Sequence, residues 1–115
     1  MTAVVNIYQT TAWRIASNSD RAALYPDFVY IGRRHKLFRL PETPWLNPFH
    51  IGKDGTRRQV LEHFVAYLTV CPDLVERART ELCDKTLVCF CKPLDCHGDV
   101  WAKIANGEEW RRWRR

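Results

Sequence analysis

No stretch of this 115-residue chain approaches the roughly 20 consecutive apolar residues that a membrane-spanning helix needs. The first residues, Met1 to Tyr8, lack the basic opening of a signal peptide and read instead as a first strand. Both absences point to an intracellular, cytoplasmic protein with no membrane partner. Internal repeats, low-complexity tracts and domain linkers are missing as well, and a chain of this length without them is one domain. A disulfide framework is also lacking. The five cysteines are odd in number, and Cys89, Cys91 and Cys96 crowd together instead of spreading along the chain. In a reducing compartment such a cluster beside a histidine suggests metal binding or thiol chemistry. Cys71 and Cys83 read as small buried hydrophobes.

Charge of one sign is scarce over most of the chain. The net charge is +5, but removing the four arginines of the Trp110–Arg115 tail leaves +1. The body is therefore not a general polyanion binder. Any footprint on nucleic acid belongs to the tail and to local patches such as Gly32 to Lys36. The tail interleaves Trp with Arg, which suits base stacking and phosphate contact; the competing and favoured reading packs its tryptophans on the body. The expected organisation is a single α/β domain over 1–109 and a basic Trp/Arg tail over 110–115.

What is present is a regular alternation of elements. Val4 to Tyr8 and Asp27 to Ile31 are short β-type runs, the second stopped by Gly32. Thr11 to Ala23 between them carries only a weak, short-helical signal. Gly32 to Gly55 is rich in Gly, Pro, basic and aromatic residues, and Pro41, Pro44 and Pro48 exclude a regular helix there. Long ordered loops of this kind are often functional. Thr56 to Gln59 has capping-box spacing and opens a helix with Val60, Leu61, Phe64 and Leu68 on one face. Pro72 introduces a second helix over Asp73 to Leu82. Lys85 to Cys91 is apolar on both alternating faces, as an interior strand covered on both sides should be. Asp95 is placed to cap a last helix, Cys96 to Asn106, whose core face is Val100, Trp101 and Ile104 and whose stop is Asn106-Gly107. The order predicts a small α/β fold with a central, mostly parallel sheet flanked by helices.

The chemistry concentrates in Cys89-Phe90-Cys91-Lys92-Pro93-Leu94-Asp95-Cys96-His97-Gly98-Asp99. Cys89 and Cys91, two apart on a strand, share one face. Cys96 and His97 open the following helix, and strand ends followed by helix starts are where open α/β sheets bind ligands. Three readings compete. Cys89, Cys91, Cys96 and His97 supply the ligand types of a tetrahedral zinc site, but C-x-C and C-H depart from the usual C-x2-C knuckles. Without metal, Cys96 at a helix N-terminus beside an imidazole would have a lowered thiol pKa and act as nucleophile, with Cys91 beside it; alternatively the helix N-terminal amides hold a phosphate and His97 serves as acid or base. In the bland reading the cysteines are core residues and His97 a satisfied cap. The metal-free reading is preferred, so no cofactor is favoured and zinc is the alternative.

These residues also carry a resemblance. Tyr30-Ile31-Gly32-Arg33, Asn47-Pro48-Phe49, Arg58 and the run from Leu87 to Asp99 resemble the phage and bacterial domain of unknown function 4326 family, over nearly the whole chain. The last unit is also similar to the domain of unknown function 488 family, where the position of Cys91 is often acidic. That implies that three thiolates are not required by the architecture. Association with viral genomes makes nucleotide or nucleic-acid substrates the expectation by analogy, and the host cytoplasm the location if the gene is phage-encoded.

Further candidates lie elsewhere. Gly32 and Arg33 follow a strand, and Arg33 is a candidate phosphate or carboxylate clamp. Asn47 could hydrogen-bond a base, against a turn-forming role before Pro48, which is slightly preferred. Trp45 and Phe49 read as core plugs first and as covers for a base second. If the sheet is parallel, Arg33, Asn47 and the Cys96–His97 helix start should line one cavity. The resulting expectation is a ligand-binding or catalytic site built from Cys96, His97 and Cys91 with Arg33, Asn47, Cys89 and Gly32, acting on a nucleotide, nucleoside or nucleic-acid base. The alternative is a non-enzymatic interaction or nucleic-acid-binding protein with a structural zinc. Whether the protein is an enzyme is left open by the sequence.

Overall fold

The structure, a computed structural model, describes residues 1–112. Trp113, Arg114 and Arg115 of the tail lie outside the described residues. Three strands form one sheet: β1 (Ala3–Asn6), β2 (Phe28–Tyr30) and β3 (Thr86–Cys89). Their order is β1-β3-β2, and both pairings are parallel, with Ala3 and Phe28 each opposite Thr86. The expected interior strand is therefore found at the centre of the sheet, and the sheet is parallel throughout.

The double apolar pattern of β3 has its explanation in two cores. Leu87 and Cys89 join Phe64, Leu68, Val100, Trp101 and Ile104 on one face, while Val88 joins Ile7, Trp13, Tyr30 and Leu40 on the other. Burial of each such aliphatic side chain contributes roughly 1.5–3 kcal/mol. The first face is covered by α3 (Arg57–Thr69), α4 (Pro72–Glu81) and α5 (His97–Ala105). The second is covered by a 3-10 turn (Ile7–Gln9), by α1 (Thr11–Ile15) and α2 (Asn18–Leu24), and by part of the long loop.

Several boundaries differ from the sequence reading. The first strand ends at Asn6 because the Asn6 side chain accepts the Tyr8 N–H and Gln9 reaches back to the Asn6 N–H, turning the chain. The capping box at Thr56 and Gln59 is formed as expected. Asp95 does not cap α5. Cys96 does: it is extended (φ −144°, ψ 167°), its Sγ accepts the Gly98 N–H, and Asp99 accepts the Cys96 N–H. Cys83, expected to be buried, is exposed in the turn before β3, and Cys71 is half-buried where α3 meets α4. Trp110 is buried in the main core, whereas Arg111 and Arg112 remain exposed.

No helix among the described residues is long and apolar enough to cross a membrane.

Candidate functional site

Parallel strands bring their carboxyl ends to one edge of the sheet, and that edge holds a cavity of about 450 Å³. Gly32 and Arg33 reach it from beyond the end of β2, Cys89 from the last position of β3, Cys91 from the turn past that end (the strand stops at Cys89 and not, as expected, at Cys91), and Cys96 and His97 from the start of α5. Asn47, Phe49 and His50 arrive from the long loop, and Arg57, Val60 and Leu61 from the first turns of α3. All seven residues singled out in the sequence line this one cavity.

Their roles are not equal. Gly32 is required by close approach. A Cβ there would lie 2.4 Å from the Tyr30 hydroxyl, which folds back to donate to the Arg33 carbonyl at 2.7 Å. The Nη2 of Arg33 donates to the carbonyls of Asn47 and Phe49, the latter at 3.0 Å, and so ties the loop to the sheet edge. Its Nε–H and Nη1–H are not used in those bonds. The Asn47 Oδ1 accepts the Phe49 N–H at 2.9 Å, closing an Asx turn, and its Nδ2 reaches the Val60 carbonyl only at 3.5 Å. Asn47 thus shapes the wall, and the turn-forming reading describes its side chain. Trp45 is a core residue, packed edge-on against Trp101 and accepting the Trp101 indole N–H on its carbonyl at 2.7 Å. It does not line the cavity, so it is removed as a cover for a base; Phe49 remains.

The thiols order themselves in a way the sequence did not suggest. Cys96 is buried, and its S–H donates to Cys89 Sγ at 3.6 Å. Its hydrogen bond to Cys89, the neighbouring Cys91 sulfur and burial push the Cys96 thiol up, so it keeps its proton. The same Cys96 hydrogen bond pulls Cys89 and Cys91 down, and for Cys91 the neighbouring Arg57 adds to the effect. The expectation of a low-pKa nucleophile at Cys96 is therefore corrected. Burial and the neighbouring sulfurs outweigh the helix N-terminus, and the lowered pKa falls instead on Cys89 and Cys91, of which Cys91 is the less buried.

His97 is committed elsewhere. Its Nε2 donates to the Ile31 carbonyl at 2.7 Å, and its ring packs edge-on against Phe64. Burial pushes its pKa down to about 4, so the imidazole is neutral at ordinary pH. That bond joins the start of α5 to the end of β2 and leaves Nε2 unavailable to a metal. Among the described residues, no group of three or more His, Cys, Asp or Glu side chains is placed to hold a metal ion.

Sequence reasoning missed Arg57 in favour of its neighbour. Arg58 is exposed and pairs with Glu62 at 3.5 Å. Arg57 lies three and four residues before Val60 and Leu61, on the buried side of α3. Its Nη1 donates to the Asp95 carbonyl at 3.0 Å. The helical spacing that identified the core face also contained this signal. His35 and Phe90 were likewise passed over, and both line the cavity.

Fold and site together define a small parallel α/β domain with a cleft at the carboxyl ends of its strands. The chain belongs to the domain of unknown function DUF4326 family, which it matches over residues 15–107. It is 37% identical to the uncharacterized protein R718 of Acanthamoeba polyphaga mimivirus, in an alignment covering 66% of this chain and 65% of the viral protein. The chain thus spans slightly under two thirds of that relative's length. No solved structure matches it.

Proposed function

We propose that the strand-end cavity binds a nucleotide-like ligand, one carrying both an anionic group and an aromatic base, and that Cys91 is its reactive group. The observation that carries this reading is the cavity's lining: arginines from two segments, an aromatic ring from the loop, and a thiol held below its usual pKa. A volume of about 450 Å³ falls within the range of small-molecule sites. Arg33 and Arg34 take part in none of the ion pairs formed among the described residues, while Arg57 stands beside the Cys91 thiol. Arg58, Arg77 and Arg79, away from the cavity, pair with Glu62, Glu81 and Glu76. Unpaired guanidinium groups facing a cleft favour phosphate or carboxylate. Phe49 offers a ring for a base, and Val60 and Leu61 add apolar lining to the same cavity. Thiolate character at Cys91 makes it a nucleophile facing such a ligand. A cytoplasmic setting, where these thiols stay reduced, goes with this reading.

Calorimetric titration of nucleoside 5′-monophosphates against the matching nucleosides tests it. The monophosphates should bind about tenfold or more tighter, the value of one charge-assisted hydrogen bond. That margin should shrink in Arg33→Met and in Arg34→Gln, the latter an exposed residue with no structural bond to lose. Equal binding of both ligand classes, or none, would overturn the proposal.

A further inference from the structure

An aromatic shelf lies outside the cavity and runs into it. Phe90 follows β3 directly, lines the cavity and is 38% exposed, and Tyr8 beside it is 59% exposed. His35 stacks on Phe90 with ring centroids 5.1 Å apart at 19°, and on Phe38 at 4.8 Å and 10°. Tyr8 meets both Phe38 and Phe90 edge-on at 6.1 Å. The Arg14 guanidinium sits 4.9 Å from the Tyr8 ring centroid and 5.6 Å from that of Phe38. No ion pair among the described residues involves Arg14, and its buried Nε has no hydrogen-bond partner. Phe38 packs against the second core of Ile7, Trp13, Tyr30, Leu40 and Val88, but Tyr8 and Phe90 belong to neither core, and the row of rings ends in an unneutralised cation.

We infer that the ligand of this site is single-stranded nucleic acid, bound as a polymer with one nucleotide in the cavity and its neighbour on the shelf of Tyr8 and Phe90. The inference rests on the nucleotide reading above. A mononucleotide has one base and one phosphate group, and the cavity accommodates both. The shelf supplies a second stacking surface and Arg14 a second phosphate partner, which only an adjoining nucleotide can use. Stacking on aromatic rings beside arginines is the general mode of single-strand binding. A duplex keeps its bases stacked on one another and cannot lay them on the shelf.

The test is fluorescence anisotropy on the full chain with labelled oligothymidylate and oligouridylate, competed with the mononucleotides and with duplex. The single strand of at least one sugar type should bind at least tenfold more tightly than its mononucleotide and than duplex. Tyr8→Ala, at an exposed position, should cut that advantage about fivefold or more. Arg14→Gln should lower the slope of log affinity against log salt by about 0.7, the value for one phosphate contact on a single strand. An oligonucleotide that binds no better than its mononucleotide overturns the inference and leaves the cavity proposal standing. A strong oligonucleotide advantage that Tyr8→Ala and Arg14→Gln do not alter also overturns it, since charge alone would then hold the strand. Self-association of the chain that Tyr8→Ala abolishes, seen by sedimentation, would assign the shelf to a second copy and equally overturn it. Failure of every nucleotide to bind brings down both proposals together.

Discussion

Cys91 and Cys96 have the same side chain and titrate in opposite directions because their surroundings differ. Cys96 is buried and donates to Cys89 Sγ, so its thiol holds its proton more tightly, while Cys91 is half-buried and has the Cys96 thiol and Arg57 beside it. The reactive form of a thiol is the thiolate, so a lowered pKa keeps Cys91 reactive as pH falls. Alkylation by iodoacetamide, followed by site-resolved mass spectrometry, should show Cys91 half-maximally reactive below the ordinary thiol value of about 8.5. Arg57→Gln should move that midpoint upward. A Cys91 midpoint at or above the ordinary value would contradict the assignment. The residue types at this site were legible in the sequence, but the order of their pKa values was not. Spacing places Cys96 at a helix start. Only the fold shows that it is sealed from solvent with two other sulfurs beside it.

At the scale of elements, α5 is held to the sheet by its first turn. Gly98 lies so close to the sheet that a Cβ would come within 2.7 Å of Ile31 and 3.0 Å of Val4, and His97 bonds the Ile31 carbonyl next to it. This attachment has a pH dependence whose sign follows from the direction of the shift. The His97 pKa falls from 6.5 to about 4 on folding, so between those values the unfolded chain binds the extra proton. Stability is fully present above pH 6.5 and declines as pH falls toward 4, by on the order of 3 kcal/mol for this group. Urea denaturation across that window should show the loss, and His97→Gln, which keeps a donor but no titrating ring, should flatten it. An unchanged slope in the variant would show that other groups govern the acid limb. The 3.6-residue spacing of α3 and the doubly apolar run of β3 made those elements readable in advance. The cap of α5 lies one residue later than expected: after the turn closed by the Leu94 N–H on the Cys91 carbonyl, Cys96 takes the extended cap conformation and Asp95 is left one residue short of it. Turn geometry of that kind depends on what the loop packs against and leaves little trace in local sequence.

For the whole molecule, the decisive fact is that all three strands run the same way. Parallel pairing is what gathers residues 32, 33, 47, 91 and 97, distant in sequence, around a single cleft. The alternation of strand and helix signals made that direction readable, and with it the convergence. The fate of each side chain was not readable: Asn47 is used in its own turn, Trp45 in the core, and Arg33 partly in holding the loop. Those outcomes are set by packing between segments far apart along the chain. A second hollow of about 510 Å³, lined by Trp13, Tyr25, Leu40 and Trp45, provides an internal comparison, since it contains none of the thiols. Mapping amide chemical shifts in ¹⁵N-labelled protein during titration with a nucleoside monophosphate tests the central claim most directly. Shifts should concentrate at Gly32 to Arg34, Phe49 to Ile51, Cys89 to Cys91 and His97, with the amides around Trp13, Tyr25 and Leu40 unmoved. Shifts centred on that second hollow, or none at saturating ligand, would contradict the claim.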